Sequence, residues 1–200
     1  MDTDHLQAGA LLRTHIEAFV IMPDDDWELL LPHLTLNTLR KNQFFIQEGK
    51  TESRVGFVID GMLRQYYTKD GEEKTTYFFF ENHLMTSYVS CITGKPSLVS
   101  IEALSHVVYL SFPYKTLQEL FNKSMAWQKF GRLIAEYLGI GLEERMVSLL
   151  LQSPEERYVD LLNSNKKKII ERIPQHYIAN YLGITAVSMS RIRNRIIKSK

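Results

Sequence analysis

The chain has 200 residues, of which 44 % are apolar and 24 % charged, the balance of an ordinary globular protein with one large domain or two modest ones. It contains no run of about 18 apolar residues, so no membrane span is expected, and the opening MDTDHLQAGALL lacks the basic lead and compact apolar stretch of a secretory signal. The single cysteine, Cys91, excludes an internal disulfide and a four-cysteine iron–sulfur cluster, and it fits a reducing, cytoplasmic setting.

The net charge of +1 conceals an asymmetry. From Asn163 to Lys200 there are nine Lys or Arg and one acid, Glu171, whereas the rest of the chain holds 15 bases and 22 acids. A basic end on an acidic body suits attraction to a polyphosphate, because each neutralised phosphate releases counterions. A solvated basic tail has the same composition, so charge does not choose between the two.

In chain order, residues 1–32 read as helical. Leu11, Leu12, His15, Ile16, Phe19 and Val20 recur at helical spacing, and the acids of DDDWELLLPHL suit a helix amino terminus. Residues 34–112 read as short strands: FFIQEG, VGFVIDG and MLRQYYTKDGEEKTTYFFFEN alternate with turn signals. Asp60-Gly61 and Asp70-Gly71 are both placed as hairpin turns, since glycine accepts positive φ without strain. A turn about every ten residues predicts a small antiparallel barrel or jelly roll. Tyr66, Tyr67, Tyr77, Phe78, Phe79 and Phe80 are read as its core and rim rather than as a stacking platform for a ligand.

The third stretch is helical again. A short helix spans Pro113 to Phe121, and a long one runs from about Ser124 to Leu151. The long helix is apolar over more than one stripe, through Trp127, Phe130, Leu133, Ile134, Tyr137, Leu138, Ile140, Leu142, Met146, Val147, Leu149 and Leu150, and so needs cover on more than one side. A second copy of the same helix would supply that cover in a two-fold dimer; the alternative is a buried helix in a monomer. Gly131, Gly139 and Gly141 either permit close backbone approach or mark a bend. Ser153-Pro154-Glu155-Glu156 then forms a capping box with proline at the first helical position, and the domain boundary is placed there.

The segment IPQHYIANYLGITAVSMSRIR, Ile173 to Arg193, reads as a helix-turn-helix. Gly183 supplies the tight turn, and Ala179, four residues earlier, sits where a large side chain would clash. Ile178, Leu182, Ile184, Met189 and Ile192 fall on the inward face. Thr185 caps the second helix, leaving Ala186, Val187, Ser188, Arg191, Asn194 and Arg195 to face outward. In such a unit the second helix enters the major groove of duplex DNA. Arg191 is assigned to a base or an adjacent phosphate, since a guanidinium matches guanine O6 and N7. Gln175 and His176, at the start of the first helix, are candidate phosphate contacts. Lys166, Lys167 and Lys168 add non-specific attraction, and Arg193, Arg195, Lys198 and Lys200 divide between DNA and solvent.

The VIDGMLRQYYTKDGEE passage, the SIEALSHVVYLSFPYKTLQEL strand-to-helix passage and QHYIANYLGITAVSMSRIR together resemble the Crp/Fnr family of bacterial transcription regulators, over nearly the whole chain. The resemblance implies an α+β fold: amino-terminal helices and an antiparallel jelly roll of the cyclic-nucleotide-binding type, a long dimerisation helix, and a carboxy-terminal helix-turn-helix. It divides the chain into a sensor domain (1–123), an interface helix (124–152) and a DNA-binding domain (153–200). The expected partners are double-stranded DNA, a second copy bound through the 124–151 helix, and an unidentified small-molecule effector if the barrel still senses one; no membrane is involved.

Departures from the family pattern are expected to matter. Cyclic-AMP-responsive members hold the ribose with a glutamate and the phosphate with an arginine–serine pair; Ser87 occupies the first position, and Ser97 with Leu98 the second. The residues of the long helix that meet the adenine become Leu142 and Glu143. Without the arginine, a cyclic phosphate loses a charge-assisted bidentate bond, so cyclic AMP is not expected to bind in that mode. The cysteine cluster of the oxygen-sensing branch is missing, and His83 and His106 are read as surface or core residues rather than haem or metal ligands. No cofactor and no catalytic residue is assigned, since no phosphate loop, metal-spaced ligand set or nucleophile elbow occurs. Ala186 and Val187 replace charged residues of the cyclic-AMP responder's reading helix, which predicts a different operator. The hairpin wing that usually follows that helix is expected to be absent or very short. A ligand-binding or protein-interaction module without DNA binding is the competing reading.

Overall fold

The computed structural model describes residues 3–163 and 167–198. The chain forms two compact units, one of Met1–Gln65 with Phe78–Leu138 and the other of Tyr66–Tyr77 with Gly139–Lys200. The division falls inside the long helix.

The first unit opens with α1 (Thr3–Glu17), α2 (Asp24–Glu28) and a 3-10 turn at Leu31–His33. The three aspartates of α2 occupy its first turn, where the helix dipole favours negative charge. Arg13 ties α1 to this turn: its guanidinium pairs with Glu17 at 2.8 Å and Asp24 at 2.6 Å and donates to the Met22 carbonyl at 3.0 Å.

Eight strands follow: β1 (Thr35–Leu39), β2 (Phe44–Ile46), β3 (Arg54–Asp60), β4 (Leu63–Lys69), β5 (Glu72–Phe79), β6 (Leu84–Met85), β7 (Ser100–Ala103) and β8 (Val107–Pro113). Six-residue α3 (Tyr88–Thr93) lies between β6 and β7. The strands form two four-stranded sheets, ordered β1-β8-β3-β6 and β2-β7-β4-β5, a jelly-roll arrangement. In the first sheet β8 pairs antiparallel with both neighbours, Leu36 opposite Leu110 and Val55 opposite Phe112.

The run VGFV in β3 reflects burial on both faces. Val55 and Phe57 join Leu110 and Phe112 in a core with Leu12, Ile16, Leu117, Leu120, Trp127 and Phe130. Val58 faces the other way, into a core with Phe45, Leu63, Phe79, Met85, Ile101, Ala103, Val107 and Tyr109. Gly56 sits between the sheets, where a Cβ would stand 2.7 Å from Met85 and 3.1 Å from Phe45.

The two Asp-Gly turns differ in role. Asp70 and Gly71 both have positive φ, 54° and 79°, and join neighbouring strands β4 and β5, as the sequence predicts. Asp60-Gly61 does not make a hairpin. β3 and β4 lie in different sheets, and this turn is the corner between them. Gly61 is required there twice over, by a φ of 99° and by the His106 carbonyl, which stands 2.3 Å from where a Cβ would be.

The last helices of this unit are α4 (Tyr114–Lys123) and the start of α5 (Met125–Leu151). The Ser124 hydroxyl accepts from the Trp127 amide at 3.2 Å and donates to Asp26 Oδ2 at 2.7 Å, while Trp127 Nε1 donates to the Asp26 carbonyl at 2.9 Å. Gly131 allows α4 to approach α5, since a Cβ would meet the Phe121 ring at 2.6 Å. Nothing lies within 4 Å of a Cβ at Gly139 or Gly141.

The second unit contains the remainder of α5, α6 (Pro154–Asn163), α7 (Lys167–Arg172), α8 (Gln175–Leu182), α9 (Ala186–Lys198) and the tip of the β4–β5 hairpin. The capping box that starts α6 is formed: Glu156 Oε2 accepts from the Ser153 amide at 2.7 Å, and Ser153 Oγ accepts from the Glu156 amide at 3.3 Å. These bonds to Ser153 hold the Glu156 carboxyl below the usual carboxylate range.

Candidate nucleic-acid interface

The sequence of α8 and α9 dictates a packed helix pair with one shared apolar seam. Ile178, Ala179 and Leu182 of α8 are each 1 % exposed, Met189 and Ile192 of α9 are 2 % and 7 % exposed, and the two helices pack together. Between the helices Gly183 takes the left-handed conformation at φ 73°, and the amide of Ile184 donates to the Ala179 carbonyl at 3.0 Å. This closes the end of α8 with a glycine in the role that glycine fills best. Thr185 Oγ1 accepts from the Ser188 amide at 3.1 Å and donates to Ser188 Oγ at 3.0 Å, so Thr185 caps α9.

The outward face holds the residues that the sequence places there. Ala186, Val187, Arg191, Asn194 and Arg195 are exposed, and Ser188 is half-buried beside its cap. Gln175 and His176, at the start of α8, are exposed as well, with the His176 ring 3.9 Å from that of Tyr177. Arg191 and Arg195 border a crevice of about 400 Å³ with Ser188 and the first turn of α6. Across it Arg195 pairs with Glu155 at 3.2 Å. Lys168 is exposed, Lys166 and Lys200 lie outside the described residues, and so do the side chains of Lys167 and Lys198.

Two arginines that sequence reasoning does not single out fasten this pair from behind. Arg157 of α6 donates through Nη2 to the Leu182 carbonyl at 2.8 Å and through Nη1 to the Gln152 carbonyl at 2.6 Å. Arg145 of α5 donates to the Tyr181 carbonyl, its guanidinium 4.0 Å from the centre of the Tyr181 ring. Burial pushes the Arg145 pKa down, with Tyr181 acting in the opposite direction. Tyr181 and Leu182 are the last residues of α8, whose carbonyls have no partner within the helix and carry the negative end of its dipole. The cations therefore sit where the helix end demands them.

Asn180 makes the third attachment. Its Oδ1 accepts from the Thr75 amide at 2.6 Å and its Nδ2 donates to the Glu73 carbonyl at 2.7 Å. The side-chain amide thus pairs with the outer strand of the second sheet as a neighbouring strand would.

The five positions that the sequence reading aligns with nucleotide anchors divide into two groups. Ser87 and Ser97, 4 % and 2 % exposed, face each other with their hydroxyls 2.8 Å apart, and Ser97 also donates to the Val99 carbonyl at 2.7 Å. Ser90 closes the same segment, accepting from the Glu52 amide and donating to the Lys95 carbonyl. Leu98 is 66 % exposed and Leu142 72 % exposed, and Glu143 is exposed too. The structure brings Ser87 and Ser97 together and leaves the other three turned to solvent. His83 lies against the Phe80 ring, 6.0 Å between centroids, and among the described residues no His, Cys, Asp or Glu cluster is set to hold a metal. The Cys91 thiol, 2.9 Å from Thr86 Oγ1, is pushed up by burial.

Residues 36–124 match the cyclic nucleotide-binding domain family model. The chain is similar to the fumarate and nitrate reduction regulatory protein of Vibrio cholerae, at 25 % identity over 174 residues covering 81 % of this chain and 68 % of that protein. It resembles the structure of FixK2 from Bradyrhizobium japonicum (TM-score 0.70, 18 % identity, 83 % of this chain and 85 % of that one). It also resembles a crp/fnr-family transcriptional regulator from Eubacterium rectale (TM-score 0.69, 19 % identity, 88 % of this chain and 85 % of that one). A barrel of the cyclic-nucleotide-binding type, a long helix and a helix-turn-helix give this chain the architecture of those regulators. Residues 36–124 thus carry a domain of the cyclic nucleotide-binding type, and the chain shares the fold of Crp/Fnr-type regulators.

Proposed function

We propose that this chain regulates transcription by binding duplex DNA as a two-fold dimer, with α9 reading base edges in the major groove. The observation that carries the reading is the α8–α9 pair itself. Its apolar seam is closed at a left-handed glycine, and its free face presents Ala186, Val187, Arg191, Asn194 and Arg195 without an apolar cover. Gln175 and His176 stand at the amino terminus of α8, where phosphate contacts form readily. Arg195 exchanges its exposed pair with Glu155 for a phosphate at small cost, because such pairs are worth only about 0–1 kcal/mol.

The dimer reading rests on α5. Tyr137, Ile140, Leu142, Leu150 and Leu151 are each 60 % or more exposed, and an apolar surface of this kind on a soluble chain marks an interface. The bare surroundings of Gly139 and Gly141 leave room for a second backbone. A second copy of α5 gives an isologous contact and places two reading helices on one duplex. The Ser87–Ser97 bond supports a barrel that does not take cyclic AMP in the family's usual mode; it either senses another small molecule or serves as a scaffold for the dimer. Among the described residues no helix is long and apolar enough to cross a membrane.

The test is selection of bound sequences from a random duplex pool, followed by titration of the selected site at several salt concentrations. A two-fold half-site pattern and a steep salt dependence are expected. Arg191→Ala should cost about 1–3 kcal/mol and relax preference at one base position. Failure of the folded dimer to retain any duplex at low salt would overturn the reading.

A further inference from the structure

Val187 is 62 % exposed, and among the described side chains of α6 to α9 it is the only large apolar one that is exposed. Single exposed apolar residues are ordinary on protein surfaces; the position of this one is what gives it meaning. At 3.6 residues per turn, Val187 falls on the side of α9 opposite Met189 and Ile192, at the middle of the outward face and one turn before Arg191. Ala186 lies beside it. The two hydroxyls nearest this turn are engaged locally, since Thr185 caps the helix and donates to Ser188. The outward side of the first turn of the reading helix therefore offers the methyl groups of Ala186 and Val187, beside a half-buried Ser188 that keeps one hydroxyl proton to donate.

In the major groove, adenine and cytosine are distinguished by amino groups and guanine by acceptors, all of which need polar partners. The remaining base-edge feature is the 5-methyl group of thymine, which an apolar side chain meets by contact alone. We propose that Ala186 and Val187 form a methyl-reading patch, so that the half-site carries thymine beneath the first turn of α9. The proposal rests on the DNA-binding reading above and adds a base preference to it. Val187 and Arg191 are separated by about 6 Å along the helix axis. Base pairs are stacked about 3.4 Å apart. The thymine therefore lies one to two base pairs from the guanine read by Arg191.

The experiment uses the full-length chain and its selected duplex, with each thymine replaced in turn by uracil, which deletes the methyl group and leaves pairing intact. Fluorescence anisotropy should show a loss of about four-fold in affinity per contacted methyl, the value of one buried methyl-sized group. The loss is expected at one or two positions near the guanine and nowhere else. At the position that Val187 covers, Val187→Ser should bind the thymine and uracil duplexes equally, at the weaker affinity. Being exposed and opposite the apolar seam, that substitution leaves the fold intact. Equal affinity of the unaltered protein for thymine and uracil duplexes at every position overturns the methyl patch while leaving DNA binding in place. Absence of binding to any duplex overturns the DNA-binding reading itself, and the two failures are thus separable.

Discussion

Arg157 is the residue whose removal most directly tests how the reading pair is held. Its two strong bonds go to the Leu182 and Gln152 carbonyls at 2.8 and 2.6 Å, and each is a charge-assisted bond in a partly buried setting. Such bonds are worth about 1.5–3 kcal/mol each. Arg157→Ala strands two acceptors, one at the end of α8, so the loss should be about 3–6 kcal/mol. The buried Nε, which has no hydrogen-bond partner among the described residues, disappears as well and returns a little of that cost. A unit of this size holds about 4–11 kcal/mol in all, so the substitution brings it close to unfolding. The two tryptophans, Trp27 and Trp127, both lie in the first unit. Urea unfolding followed by tryptophan fluorescence therefore reports that unit, whereas helical circular dichroism reports both. In Arg157→Ala the dichroism transition should begin at lower urea while the fluorescence midpoint stays put. Arg157→Lys, able to reach one carbonyl, should recover about half of the loss. A dichroism curve unchanged from the parent would refute the assigned role of the two bonds.

Three further expectations follow from the same structure. Leu142→Glu combined with Leu150→Glu should convert the proposed dimer to monomer in light scattering; each leucine buried in such an interface is worth about 1.5–3 kcal/mol and is counted twice across a two-fold axis, and a dimer that survives both changes would move the interface off α5. His15, stacked 5.4 Å from the Phe57 ring, has its pKa lowered from 6.5 by burial; the neutral form is favoured in the fold, so its contribution is fully present above pH 6.5 and is lost as pH falls through the lowered value. Urea midpoints of the first unit should thus decline on acidification from pH 7 toward 5, and His15→Phe should flatten that part of the curve; an identical slope in the variant contradicts the assignment. Cyclic AMP should leave the melting temperature unchanged, because Ser87 and Ser97 satisfy each other, and a concentration-dependent rise of several degrees would refute that reasoning.

Features set by local chemistry were legible in the sequence. Ser153 and Glu156 are three residues apart, and their reciprocal bonds form as that spacing demands. Gly183 with Ala179 and Ile178, and Thr185 with Ser188, lie within one short window, so each choice constrains its neighbours directly. The Asp60-Gly61 turn shows the limit. An Asp-Gly pair between apolar runs signals a change of direction, but hairpin and sheet-to-sheet corner share that signal locally. Only the His106 carbonyl, 45 residues away along the chain, tells them apart.

The same distinction separates the reading face from its supports. The outward positions of α9 follow from helical period once the inward positions are known, and the structure exposes Val187, Arg191 and Asn194 accordingly. Arg145, Arg157 and Asn180 gave no such sign, because their partners are backbone atoms distant in sequence: Tyr181, Leu182, Glu73 and Thr75. A backbone acceptor has no residue type to look for. The available hint was physical: α8 ends in carbonyls that need donors, and the segments before it contain arginines able to provide them. Asn180 is harder to foresee, since an amide on a helix surface usually faces water, and its role depends on where the β4–β5 hairpin lies. In this chain the groups proposed to meet DNA are written in local pattern, and the groups that hold them in place are written in long-range hydrogen bonds. Substitutions at the first set should therefore change which duplex is bound, and substitutions at the second whether the reading pair is held at all.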